Sequence, residues 1–165
     1  MATRIRRAGL MVALTLLMAT ALAGVAWAAT LVGTDEPDKL IGTPKNDTIL
    51  GRGGNDKIGG REGDDYIRGG GNSDYVSGSQ GDDHIIPGPG TDWWIKGRTG
   101  SDIIEADDGE QEQVECGNGR NDQAYIDVRP VTDGFANCEY VNGKKMDGNN
   151  FDYETWPEAP PKDQR

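Results

Sequence analysis

Between Gly33 and Glu105 the chain repeats itself every nine residues or so. Each repeat carries an aspartate followed two residues later by a bulky apolar side chain. The aspartates are Asp38, Asp47, Asp56, Asp65, Asp74, Asp83, Asp92 and Asp102, and their partners are Leu40, Ile49, Ile58, Ile67, Val76, Ile85, Trp94 and Ile104. Every step between aspartates is nine residues except the last, which is ten. A unit this short cannot bury its apolar side chain alone. Two columns held in phase over such a run therefore imply one small unit stacked on itself.

The first six residues of a unit are mostly glycine and polar residues, which make a turn. The last three set one apolar residue between polar neighbours, the alternation of a very short half-buried strand. Two units give two turns and two strands, so one coil is 18 residues. Coils stack at the strand spacing, so four of them form a slab about 19 Å long. The expected fold is all-β, a parallel β-roll (a β-solenoid) whose core is one side chain thick per strand. By alternation Trp94 points inward and Trp93 outward. Lys96, Ala106 and Cys116 are read as residues between units.

Alternate units share an edge. One edge stacks Asp38, Asp56, Asp74 and Asp92, and the other stacks Asp47, Asp65, Asp83 and Asp102. Carboxylates stacked at strand spacing repel one another unless a cation lies between them. Calcium suits such a site, because it takes six to eight oxygens in flexible geometry. Magnesium demands tight octahedral coordination, and zinc prefers nitrogen and sulfur ligands. Position four of the unit holds Gly54, Gly63, Gly81, Gly90 and Gly100, with Asn72 as a tolerable substitute. Glu36 and Lys45 break that column, so the first coil reads as a cap with weak or absent sites. Asn55, Asp64 and Asp82, one residue before the repeat aspartate, offer further oxygens. One ion between each same-edge pair would make six. The competing reading is that the aspartates only form turns and add solubilising charge.

The units GRGGNDKIG (51–59), GREGDDYIR (60–68), GGGNSDYVS (69–77) and GSQGDDHII (78–86) resemble the G-G-x-G-x-D-x-U-x nonapeptide of the RTX, or haemolysin-type, calcium-binding family. The resemblance weakens at Glu36, Lys45 and Pro87, where the family has glycine. It implies several calcium ions as cofactor, held by the aspartates of the two columns with the turn glycines Gly54, Gly63 and Gly81. In that family such repeats often follow a protease or lipase domain, and no motif of either is legible here. The segment VECGNGRND…NCEYV resembles tails that follow such repeats in exported bacterial proteins.

The ends of the chain bound its setting. Arg4, Arg6 and Arg7 precede an apolar run from Leu10 to Ala23, and Ala26-Trp27-Ala28 is an A-x-A cleavage site. Residues 1–28 thus read as a signal peptide, and a retained anchor is the rival reading. Cleavage would remove three arginines and no acid, taking the net charge from −11 to −14. A chain this acidic suits cations and repels nucleic acid and anionic membrane. The expected location is extracellular. In an oxidising compartment Cys116 and Cys138 would form a disulfide. We read 29–105 as the roll, 106–141 as degenerate repeats and a cap, and 142–165 as a flexible acidic, proline-containing tail.

An enzyme is disfavoured. There is no G-x-S-x-G, no H-E-x-x-H and no phosphate loop, and His84 takes an outward strand position. The expected function is a secreted, non-enzymatic calcium-binding module that folds on its ions. The alternative is calcium-dependent adhesion, or binding of a cell-surface or glycan partner, with Trp93 as the candidate contact.

Overall fold

A computed structural model describes residues 27–127, 134–145 and Lys162. The signal peptide expected at 1–28 and the tail expected from 142 therefore lie mostly outside the described residues. The chain winds as a parallel β-solenoid, and consecutive strands of the coil alternate between two sheets. The first sheet holds β1 (Thr30–Val32), β3 (Thr48–Gly53), β5 (Tyr66–Gly71), β7 (His84–Ile86), β9 (Ile103–Ala106), β11 (Gln123–Ile126), β13 (Tyr140–Val141) and β14 (Lys144–Lys145), in that spatial order. The second holds β2 (Lys39–Ile41), β4 (Lys57–Glu62), β6 (Tyr75–Gln80), β8 (Ile95–Thr99), β10 (Gln113–Gly117) and β12 (Gly134–Ala136). Among the described strands every pairing is parallel except β13 with β14.

The apolar column is the core. Ile49, Ile67 and Ile85 stand in register along the first sheet, and Ile58 and Val76 along the second. All are buried, and Leu31 and Leu40 of the first coil pack on them partly covered. Each fully buried isoleucine contributes roughly 1.5–3 kcal/mol relative to leaving it in water. With one such residue per strand the core stays thin, as the repeat implies.

At the eighth unit the structure departs from expectation. Trp94 is not in the core: it is half exposed, while Ile95 is fully buried and pairs in register with Val76 and Val114. The extra residue of the ten-residue step is thus a bulge at Trp93–Trp94. It is not at Lys96, which lies within β8 opposite Ser77 and Glu115, and Ala106 and Cys116 likewise lie within β9 and β10 rather than between units. Trp94 has a φ of 67°, in the left-handed region that carries it off the alternating path. A bulky side chain there costs about 1–2 kcal/mol. The inward slot spans one strand spacing and accepts isoleucine-sized groups, so the shift lets the apolar column continue unbroken.

Beyond Glu105 the coil continues through β10, β11, β12 and β13. Val114 and Ala124 take the apolar places opposite Ile95 and Ile104. A Cys116–Cys138 disulfide, with Cα atoms 5.0 Å apart, lies buried in these last coils. The first sheet ends in an antiparallel hairpin. Its turn is Asn142-Gly143, with both φ values positive, as a two-residue hairpin loop requires. The Asn142 side chain accepts from the Ile126 N–H at 2.9 Å and donates to the Ile126 carbonyl at 3.1 Å. Residues 142–145 therefore belong to the sheet.

Candidate metal centre

The turns place the aspartate side chains inside the coil. Asp47, Asp56, Asp65, Asp74, Asp83, Asp92 and Asp102 are buried, and Asp38 in the first turn is half-buried. Each aspartate from Asp38 to Asp83 is tied to the one 18 or 19 residues further on. The backbone N–H of Asp38, Asp56 and Asp74 donates to Oδ1 of Asp56, Asp74 and Asp92 at 2.7–2.8 Å. On the other edge the N–H of Asp47, Asp65 and Asp83 donates to Oδ1 of Asp65, Asp83 and Asp102 at 2.8–3.0 Å. These are the two edges read from the spacing.

Only one oxygen of each carboxylate is satisfied this way. Oδ2 of Asp56, Asp65, Asp74, Asp83, Asp92, Asp102 and Asp122 is buried without a hydrogen-bond donor. In most units that oxygen lies against the glycine that opens the unit. A Cβ on Gly51 would come within 2.5 Å of Asp56 Oδ2, and one on Gly69 within 2.7 Å of Asp74 Oδ2. A buried, donorless carboxylate oxygen is costly. That cost raises the pKa of the buried carboxyl groups. Burial, reinforced by neighbouring carboxylates, pushes Asp65, Asp74 and Asp102 up to about 6 and Asp83 and Asp92 up to about 7. The backbone donors oppose the rise without cancelling it.

The first coil differs. The backbone N–H and the hydroxyl of Thr34 both donate to Asp38 Oδ2, at 2.6 and 2.9 Å. The N–H of Thr43 donates to Asp47 Oδ2, and its hydroxyl to Oδ1. Here protein donors satisfy the second oxygen. Position four agrees: Gly54, Gly63, Gly81, Gly90, Gly100 and Asn72 all have positive φ, and Glu36 and Lys45 do not. The need for glycine there is steric as well. A Cβ on Gly63 would come within 2.5 Å of the Lys45 carbonyl carbon one coil away.

Asn55, Asp64 and Asp82 are exposed and form a second ladder of opposite sense. Their Oδ1 atoms accept from the N–H of Ser73, Asp82 and Ser101, one coil onward, at 3.3, 2.9 and 2.7 Å. They flank the buried column from outside.

The columns also run further than the spacing suggested. The pattern loosens after Glu105 into degenerate repeats, and within them Glu112 and Asp122 are both buried. The Asp102 N–H donates to Asp122 Oδ1 at 2.9 Å, and the Asp122 N–H to Glu139 at 2.9 Å. The signal was present as Glu112-x-Val114 and Asp122-x-Ala124 at ten-residue steps. A further group, Asp108, Glu112 and Asp127, has carboxylate oxygens within 4.8 Å of one another. No spacing rule pointed to it, because Asp108 and Glu112 lie in the connection between β9 and β10 while Asp127 follows β11.

Comparison with known proteins returns one family. The model of the RTX calcium-binding nonapeptide repeat (4 copies) matches residues 32–67, 59–93 and 94–110. No curated protein and no solved structure matches the chain.

Proposed function

Residues 32–110 of this chain belong to the RTX calcium-binding nonapeptide repeat family, and from that premise we propose that it is an exported, non-enzymatic module whose roll is held together by calcium between its turns. The observation that carries this reading is the row of buried, donorless Oδ2 atoms from Asp56 to Asp102. An oxygen that lacks a proton donor in a buried acidic row calls for a hard cation, and calcium tolerates the irregular oxygen sets that glycine turns offer. The donors we assign are Asp56, Asp65, Asp74, Asp83, Asp92 and Asp102, with carbonyl oxygens of the turns around Gly54, Gly63 and Gly81. Asp64 and Asp82 add negative potential from outside, and Asn55 adds a neutral amide oxygen. Asp38 and Asp47 are the weakest ligands, because threonine donors already satisfy them. When bound, calcium would neutralise the stacked carboxylates and join each coil to the next.

The residues that open the units support an end to the sites near Ala106. In the second sheet Gly97 gives way to Cys116 at the equivalent register place, and in the first sheet Ala106 is followed by Ile126. A side chain there fills the space that glycine leaves beside the carboxylate. Export is supported by the A-x-A site and by the disulfide.

Calcium titration of the chain from Ala29 onward, followed by circular dichroism, tests the reading. Without calcium the chain is expected to lack β structure, and to gain it with a midpoint of about 10⁻⁴–10⁻³ M. A β spectrum that survives excess chelator at pH 7.5 would overturn it.

A further inference from the structure

We infer that the outer face of the second sheet binds a linear anionic polysaccharide. The inference rests on the calcium reading only in that calcium holds the roll together. Along this face Lys39, Lys57, Arg61 and Arg98 are exposed, and Lys96 is half-buried and paired with Glu115. The strands contribute two acids, Glu62 and Glu115, whereas the chain as a whole has 28 acids against 17 lysines and arginines. The repeat acids are gathered in the turns, which leaves this face basic on an acidic molecule.

Two aromatic rings stand among these cations. Tyr75 and Trp94 are 46% and 50% exposed. The Lys57 ammonium lies 6.0 Å from the Tyr75 ring and the Lys96 ammonium 4.9 Å from the Trp94 ring. A groove of about 310 Å³ runs past Ile41, Lys57, Tyr75, Trp94 and Arg98. Trp94 and Lys96 also wall a second groove toward Gln113 and Phe135, of about 270 Å³. The two grooves make one track along the solenoid axis.

Trp94 is the sharpest pointer. It sits at a positive φ, where glycine would hold the same bulge without strain. The core place beside it belongs to Ile95. Neither packing nor backbone geometry requires an indole here, so what the ring offers is its exposed face.

An aromatic face stacks on the apolar side of a pyranose ring, and flanking ammonium and guanidinium groups meet its carboxylate or sulfate. Equivalent positions recur along the axis at about 4.8 Å, comparable with one sugar ring, so a linear chain can keep register with the coils. Ser77, Ser79, Gln80 and Thr99 line the same face with groups suited to hydroxyls. Single-stranded nucleic acid also stacks on exposed aromatic rings flanked by cations, and it is the competing outcome of the test.

The test is affinity electrophoresis of the calcium-loaded full chain in gels containing chondroitin sulfate, dextran or single-stranded DNA, with circular dichroism confirming that each variant is folded. Chondroitin sulfate is expected to retard the protein, less so as salt rises, and dextran not to. Lys57→Glu with Arg98→Glu should abolish the retardation, and Trp94→Gly should weaken it about tenfold. Arg68→Glu, on the opposite sheet, should leave it unchanged. The inference is overturned if the folded charge-reversal variant binds like the parent, if Arg68→Glu is equally damaging, or if dextran or DNA is retarded as strongly as chondroitin sulfate. It is also overturned if no polymer binds and sedimentation instead shows a dimer that the charge reversal abolishes. Failure here with a normal calcium titration leaves the calcium reading standing.

Discussion

At the scale of the residue, the question is why an acid should be buried with one oxygen unserved. Asp74 is fully buried, donates its N–H to Asp92 and accepts from Asp56, and still has Oδ2 without a donor. Asparagine keeps the Oδ1 acceptor and removes the charge. Asp74→Asn is therefore expected to stabilise the metal-free roll and to raise the calcium midpoint several-fold, while Asp38→Asn, in the threonine-served first coil, changes it little. Circular dichroism titrations of the two variants check this, and equal midpoints would refute it. The same chemistry sets a pH dependence. Asp83 and Asp92 have folded, metal-free pKa values of about 7 and Asp65, Asp74 and Asp102 of about 6, against an ordinary 3.8. The folded state holds the extra protons, so their contribution to stability is complete below 3.8 and is lost as pH rises through 6 to 7. In chelator, β structure should increase as pH falls from 7.5 to 5. With calcium present, the midpoint should rise over the same interval, because protons compete for the same oxygens. A chelated chain that loses β structure on acidification would contradict the assignment.

At the scale of the element, each strand is too short to stand alone and contributes one side chain to the core. Ile67 lies between Ile49 and Ile85 and is completely buried. Truncation to alanine leaves a gap between the Ile49 and Ile85 side chains, and the strand pairing on both sides fixes the spacing, so the coils cannot collapse into it. Ile67→Ala should cost about 2–5 kcal/mol in urea unfolding at saturating calcium. Leu40→Ala should cost less, because Leu40 sits in the first coil and is only partly covered. A loss at Ile67 no larger than at Leu40 would mean the core is not a continuous column. The period of nine reveals these strands directly, because position eight is apolar in every unit from Leu40 to Ile85. It fails at Trp93-Trp94-Ile95, where three consecutive apolar residues compete for one inward place. Counting from the aspartate selects Trp94. Packing selects Ile95, since a slot one strand spacing high accepts a branched aliphatic chain far better than an indole.

At the scale of the whole molecule, a stack must be stopped as well as started. An open end exposes unpaired backbone and the apolar column. The end beyond β11 is stopped by the Asn142-Gly143 hairpin and by the buried disulfide. The cysteines are 22 residues apart, a loop whose closure contributes about 3 kcal/mol in the chain-entropy account. Replacing both with serine should raise the calcium needed for folding and make the last coils the first site of proteolytic cleavage. A double variant that titrates and digests like the parent would remove the disulfide from the terminator. The sequence by itself determined the period, the parallel two-sheet coil, the two carboxylate edges and the positive-φ turn positions, because each follows from local chemistry repeated at a fixed interval. Only the tertiary structure decided what depends on atoms from different coils meeting. It decided which tryptophan leaves the core, which oxygen of each aspartate is served, and that Thr34 and Thr43 satisfy the first coil. It also decided that Glu112 and Asp122 prolong the buried columns, and that Asp108 and Asp127 gather beside Glu112. Contacts one coil away depend on the exact length of the intervening turn, and a periodic pattern loses that information as soon as one turn gains a residue.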